Sequence, residues 1–351
     1  MKLKYKVLLG AILMILLLGL VFFSISCSLI MVPEYHGPIT DHYDGQYFYN
    51  LEPTEEKSFW DVLKWRVGGS RPAWPKAISI NPAQPEKFIE GKYVRLTFVG
   101  HASVLLQTEG LNFLIDPVWS KVIGPTNTFG VGRTHPPGIE FHNLPSIQFV
   151  AISHNHYDHL DLPTLIDLNK TFHPLFLEGL GNKAFLEQSD IENAVDLDWW
   201  QEYKVNEKIK VIATPAKHWS MRSWGNRNQT LWLSFAFQTP HHKIYFSGDT
   251  GYGKHFQMIR ERLGPMDICL LPIGAYEPRW FMKGHHMNPE DTVKAHQDLG
   301  CKKTLGIHFG TFHLTDEAYG QPEEDFKNAI EAAGLSTNDL RVLKPGESWD
   351  L

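Results

Sequence analysis

An α/β fold of two mixed β-sheets packed face to face, with helices on the outer sides, is predicted for this 351-residue chain. Three observations predict it. Short strands follow one another from about residue 93, strands and helices alternate beyond them, and 43 % hydrophobic against 21 % charged residues supplies a large core. At about 150 residues per domain the length allows about two domains.

Lys2, Lys4 and Lys6 precede an apolar and glycine run over residues 7–23, which at about 1.5 Å per residue reaches roughly 26 Å. Residues 1–32 are therefore read as an N-terminal membrane anchor, either an uncleaved helix or a lipoprotein signal, because Ser24-Ile25-Ser26-Cys27 is like a lipoprotein cleavage box. Both readings, and a plain secretory leader, put the rest of the chain outside the cytoplasm, on a periplasmic or extracellular face. Residues 33–91 hold seven prolines with Tyr, Trp and Phe between them, which predicts an extended strap packed on the main domain. One short helix is expected within 55–67, burying Phe59, Val62 and Leu63.

The main domain runs over 92–351. Val94, Leu96 and Phe98 alternate as a strand, and strands at 104–106 and 113–115 flank the turn Glu109-Gly110. Further strands are expected at 149–153, 210–214, 231–237, 243–247, 268–273, 304–307 and 341–343. Helices are expected around 162–169, 182–188, 255–262, 289–299 and 323–333. A net charge of −6 argues against nucleic acid as a partner. The three cysteines, without any CxxC, predict neither a disulfide framework nor a cysteine-based zinc knuckle, and Cys269 and Cys301 are expected as buried thiols.

The chemistry lies in histidine. Directly after the apolar segment 149–152 comes Ser153-His154-Asn155-His156-Tyr157-Asp158-His159-Leu160-Asp161. Four metal-binding side chains within six positions, at the end of a strand, suit a preorganised cation site, and imidazole with carboxylate suits Zn²⁺. One loop does not complete two metal shells, so further ligands are expected at later strand ends. His218 follows 211–214, Asp249 follows 245–248 and His308 follows 305–307.

The pattern His154-x-His156-x-Asp158-His159 with His218, Asp249 and His308 resembles the metallo-β-lactamase superfamily, which implies an αββα sandwich with the site at its edge. Gly100-His101-Ala102-Ser103, Leu197-Asp198-Trp199-Trp200, Gly248-Asp249-Thr250-Gly251-Tyr252 and the run 272–283 narrow the resemblance to the N-acylphosphatidylethanolamine-hydrolysing phospholipase D family, over roughly residues 55–351. The resemblance implies a zinc pair. His154, His156 and His218 would hold one ion, Asp158, His159 and His308 the other, and Asp249 would bridge them. Asp116 resembles a carboxylate that orients a ligand imidazole, or is a turn carboxylate before Pro117.

The implied reaction is hydrolysis of N-acylphosphatidylethanolamine, a membrane phospholipid, to phosphatidic acid and an N-acylethanolamine by a hydroxide shared between the zincs, in a homodimer. Asp158, Asp249 and His286 are the candidate catalytic residues, and His285, His286 and Arg279 the candidate substrate-binding ones. Asn288-Pro289 reads as a helix start, which sets His286 just before a helix N-terminus where a phosphate oxygen can be held. Arg279 binds phosphate or forms a structural ion pair. Mammalian members carry Tyr-Gln-His where this chain has Gly284-His285-His286, and His101 matches the signature without an evident role. The alternatives are a related hydrolase of another phosphodiester or a lactone, and a non-catalytic zinc-binding envelope protein.

Overall fold

The computed structural model describes residues 31–351 apart from Ser70, Asn127 and Trp224, together with Met14. The anchor read over 1–32 lies outside the described residues except for Met14, Met31 and Val32. No helix among the described residues is long and apolar enough to cross a membrane.

Strands β1 (Val94–Gly100), β2 (Ser103–Thr108) and β3 (Leu111–Ile115) form an antiparallel meander, and β4 (Val122–Thr126) with β5 (Phe129–Gly132) makes a separate hairpin. The chain continues through β6 (Phe149–Ala151), β7 (Leu175–Gly179), β8 (Ala194–Leu197), β9 (Glu202–Lys204), β10 (Lys210–Thr214), β11 (Ser234–Gln238), β12 (Lys243–Phe246), β13 (Ile268–Pro272), β14 (Lys303–Ile307), β15 (Leu340–Arg341) and β16 (Ser348–Asp350). Two sheets result, ordered β16-β1-β2-β3-β6-β7-β8 and β15-β14-β13-β12-β11-β10-β9. Each is half antiparallel and half parallel, because helices return the chain between β6 and β7 and between β12, β13 and β14.

The sheets meet through Leu96, Phe98, Leu106 and Phe113 on one side and Val211, Phe235, Phe237, Phe246 and Leu305 on the other, all within one apolar cluster. Helix Leu162–Phe172 covers the outer face of the first sheet with Leu165 and Leu168, and helices His255–Leu263 and Pro289–Leu299 cover the second with Phe256, Ile259 and Leu299. This is the predicted layering of two mixed sheets between helices. The strands β7, β8, β9 and β16 and the β4–β5 hairpin are additional to the predicted set. They are three to five residues long, and their ladders come from neighbours rather than from a local pattern.

Two expectations are corrected. The strap helix, Phe59–Gly68, starts where Ser58 and Asp61 form a reciprocal cap, but it does not bury Phe59, Val62 and Leu63. Phe59 is 67 % exposed and Trp65 8 %, because the Trp65 indole donates to Asp316 at 2.8 Å and packs on Phe281, which turns the other face outward. Cys269 and Cys301 are not thiols but a disulfide, with Cα atoms 6.1 Å apart. The helix Pro289–Leu299 returns the chain to the strand beside β13, and that return brings the two cysteines together across 32 residues.

Ahead of its helix the strap is tied to the domain by aromatics and one histidine. Tyr43 and Phe48 are buried in the inter-sheet cluster. His42 stacks on Trp199 and donates from Nδ1 to Asp41 and from Nε2 to Asp198, each at 2.6 Å. Burial alone would lower the His42 pKa, but the bonds to Asp198 and Asp41 hold it above its ordinary 6.5. A raised histidine pKa stabilises the attached strap fully below the unfolded value and loses that contribution as pH rises through the folded one. Proteolysis within residues 33–57 is therefore expected to accelerate as pH rises above about 6.5, and to lose that pH dependence in His42→Gln.

Candidate metal centre

The ends of β6, β10, β12 and β14 come to one edge of the sandwich, and each is followed by metal-binding side chains. After β6 the loop places His154, His156, Asp158 and His159. His218 lies four residues beyond β10, Asp249 three beyond β12 and His308 next to the end of β14. The turn before Asp249 requires glycine: Gly248 has φ +57°, and a Cβ there would meet the Ser153 side chain at 2.6 Å. His101 and His308 also take positive φ, 57° and 62°, and the His308 N–H donates to the His101 carbonyl at 2.7 Å. That bond holds the ends of β1 and β14 against each other across the two sheets.

The donors fall into overlapping groups with Asp249 between them. His154 Nε2 and His218 Nε2 converge on His156 Nδ1 at 2.8 and 3.2 Å. Asp249 Oδ2 lies 3.2 Å from His159 Nε2, 3.1 Å from His308 Nε2 and 3.8 Å from His218 Nε2. Asp158 Oδ2 lies 3.5 Å from His159 Nε2 and 3.4 Å from His308 Nε2. All seven expected ligands are thus brought to one buried cluster.

Behind the donors lies a set of orienting bonds. Asp116, fully buried, accepts from the Ser153 N–H at 2.7 Å, the Ser153 hydroxyl at 2.6 Å and His159 Nδ1 at 2.6 Å. The same hydroxyl lies 2.9 Å from His154 Nδ1, so one carboxylate turns the Nε2 atoms of both His154 and His159 toward the centre. His218 Nδ1 donates to the His285 carbonyl at 3.0 Å, which turns its Nε2 inward as well.

Burial, reinforced by neighbouring imidazoles, holds His154 and His218 well below the ordinary histidine range, and burial takes His156 to about 3. Burial would raise Asp249 and Asp158, but facing imidazoles, His308 foremost at Asp249 and His159 at Asp158, hold both well below the ordinary carboxylate range. Burial would likewise lower His308 and His159, but Asp249 and its neighbours hold His308 up at about 9 and His159 well above its usual value. The neutral imidazoles of His154, His156 and His218, the ionised carboxylates, and His159 and His308 once their protons are released form the donor set of a borderline-soft divalent cation. The residues fit one, because His156 Nε2, His159 Nε2, His308 Nε2 and Asp249 Oδ1 are buried without a hydrogen-bond partner.

The remaining expected residues are placed differently. His286 Nδ1 stands 3.9 Å from Asp249 Oδ2, with its pKa lowered to about 4 by burial despite that carboxylate. Asn288 caps the helix Pro289–Leu299, as predicted, by accepting from the Asp291 N–H. His285 contributes its carbonyl to His218 and keeps a buried, unpartnered Nδ1. Arg279 is not brought to the centre: its guanidinium donates to Asp291 at 2.8 Å and to the His286 carbonyl at 3.0 Å, so it is the structural ion pair of the two readings and steadies the His286 loop.

Two residues of the site were missed. His101 Nε2 donates to Asp158 at 2.9 Å and its ring lies 4.0 Å from that of His308. Its position at a strand end, like those of the other donors, was the available signal. Asn50 of the strap donates from Nδ2 to the His218 carbonyl at 2.9 Å and accepts from the His218 N–H at 3.0 Å, across 168 residues, which leaves no sequence signal. Asn50→Ala is expected to weaken metal affinity about tenfold at unchanged metal stoichiometry, read by competition with a chelating dye.

A family model described as the beta-lactamase superfamily domain matches residues 111–309. The chain belongs to the metallo-β-lactamase superfamily. Within it the chain joins the family that includes the N-acylphosphatidylethanolamine-hydrolysing phospholipases D. It is 36 % identical over 266 residues to N-acyl-phosphatidylethanolamine-hydrolyzing phospholipase D 1 of Caenorhabditis elegans, spanning 72 % of this chain and 75 % of that one. It is also 38 % identical over 317 residues to an uncharacterised protein of Mycobacterium tuberculosis, spanning 86 % of this chain and 82 % of that one. Among solved structures, Igni18, a metallo hydrolase of Ignicoccus hospitalis, aligns with a TM-score of 0.55 at 22 % identity over 74 % of this chain and 98 % of its own, which speaks to the fold alone. As a metallo-β-lactamase-fold protein with an intact buried donor cluster, the chain is a metal-dependent hydrolase.

Proposed function

We propose that this hydrolase is a phosphodiesterase of the phospholipase D type, acting on N-acylphosphatidylethanolamine with two zinc ions and releasing phosphatidic acid and an N-acylethanolamine. The observation that carries the reading is the 36 % identity to a phospholipase of that specificity over 72 % of the chain. His154, His156 and His218 would hold one zinc and Asp158, His159 and His308 the other, with Asp249 between them. Bound there, the ions would supply Lewis acidity toward a phosphoryl oxygen and lower the pKa of the attacking water.

The chain's own groups do the rest. Water adds to phosphorus, the bond from phosphorus to the N-acylethanolamine oxygen breaks, and that oxygen takes up a proton. His286 is the ring suited to hydrogen-bond the phosphoryl or leaving oxygen, because its Nδ1 is buried without a partner 3.9 Å from Asp249. Asp249 and Asp158, ionised in the cluster, hold the cationic side of the site in place. The lysine-flanked apolar run at 7–23 supports a membrane-anchored enzyme working outside the cytoplasm at the surface of its lipid substrate.

The test is turnover of the purified, zinc-loaded protein on N-acylphosphatidylethanolamine in mixed micelles, with both products identified and Asp249→Asn as control. Release of phosphatidic acid and N-acylethanolamine, lost in the control, is the expected result. Hydrolysis of a sugar lactone with no action on the phospholipid would decide against it.

A further inference from the structure

Between residues 49–56 of the strap and the segment that follows β10 lies a pocket of about 330 Å³, with His218, Trp219, Arg227 and His285 among its lining residues. Nothing in the hydrolytic scheme uses Arg227. Its guanidinium lies over the Trp219 ring at 4.1 Å, and the same ring meets that of His156 edge-on at 4.3 Å. The guanidinium therefore stands within roughly 9 Å of a metal-binding imidazole, one aromatic ring removed from it.

Other arginines around the site are committed. Arg222 donates to the carbonyls of Asn155 and Leu160, and Arg279 to Asp291 and the His286 carbonyl. Among the described residues Arg227 makes no hydrogen bond and no ion pair. Glu56, on the same pocket wall, lies beyond ion-pairing range of it, and Glu52 is engaged by the Lys254 N–H at 2.9 Å. A half-buried guanidinium held over an indole, with its donors unspent at the wall of a cavity, is preorganised for an oxygen acceptor of a ligand.

We propose that Arg227 is a specificity-determining residue that binds the amide carbonyl of the substrate's N-acylethanolamine part. This inference rests on the phosphodiesterase reading, which puts the phosphorus at the metal-binding residues. The carbonyl carbon lies five bonds from that phosphorus, on the side of the leaving group, and His218 and Arg227 line the same pocket. The same guanidinium acts against an unacylated ethanolamine. That group presents an ammonium where the amide would present an acceptor, so Arg227 meets a like charge and finds no oxygen.

The experiment uses two soluble probes, the phosphomonoesters N-hexanoylethanolamine O-phosphate and phosphoethanolamine, titrated into the full-length zinc-loaded wild-type protein and followed by tryptophan fluorescence. The acylated probe is expected to bind at least about tenfold more tightly. Arg227→Met should weaken the acylated probe by about ten- to a hundredfold and leave or improve the other, so that the preference disappears. Arg227→Lys should keep the rejection of the ammonium while recovering only part of the amide affinity. An unchanged preference in Arg227→Met, or no binding of either probe, overturns the assignment. Equal melting temperatures of the variants separate the effect from misfolding. In the wild-type enzyme the same substitution should raise KM for N-acylphosphatidylethanolamine with little change in kcat. Probe preference as expected, without turnover of any phosphodiester, would leave the subsite standing and remove the phosphodiesterase reading instead.

Discussion

Asp249→Asn is expected to lower turnover by at least about a hundredfold, with the fold intact and the metal content of the dialysed protein reduced. Among the described residues Asp249 is the one carboxylate within 3.8 Å of donors from both groups: His218 on one side, His159 and His308 on the other. Asparagine keeps the shape but removes the charge, and its amide nitrogen turns a donor toward a place where acceptors converge. The fold survives because Asp249 belongs to a loop end, not to the inter-sheet cluster, and His308 and His159 shed the protons that Asp249 holds on them. Metal analysis and a melting curve on the same sample separate the two effects. Full activity in this variant would sink the ligand assignment.

Asp116→Ala is expected to have the largest effect on stability, about 3–5 kcal/mol, with a Tm lower by roughly 10 °C. Asp116 is completely buried and accepts three short bonds, from the Ser153 N–H, the Ser153 hydroxyl and His159 Nδ1. Burial raises its own pKa, yet it is one of the carboxylates that hold His159 well above the histidine range. Truncation to alanine would strand that ring and two donors in a dry interior. It would also free His154 and His159 from their fixed orientation, so metal affinity should fall along with the melting temperature. Asp116→Asn, which keeps an acceptor for Ser153 but not the charge facing His159, should lie between the two proteins in calorimetry. A melting temperature unchanged in Asp116→Ala would mean that Asp116 is an ordinary turn residue before Pro117.

Much of the site was legible because chemistry and secondary structure are both local. His154, His156, Asp158 and His159 stand in one loop, and His218, Asp249 and His308 each follow an apolar run that reads as a strand. The cap at Asn288 and Pro289 was legible for the same reason: a capping side chain bonds a backbone N–H three residues away. Arg279 was ambiguous in the sequence because the carboxylate that binds it, Asp291, lies on the next helix. His101 carried the right residue type in the right place but only one such residue, and a lone strand-end histidine has no pattern to set it apart.

The sequence by itself determined the two-sheet layering and the set of donor residues, since alternation, apolar runs and ligand spacing are properties of short stretches of chain. Tertiary structure alone decided what surrounds those donors. The Asn50 clamp on His218 spans 168 residues, the Asp198 end of the His42 latch 156 and the disulfide 32. It also decided that Trp65, not Phe59, faces the domain, and that Arg227 lies over Trp219 beside the centre. Such contacts depend on the order of strands in the sheets and on the path of the strap across them. A hydrogen bond or ring contact between distant segments exists only once the whole chain has been threaded, and no local pattern encodes it.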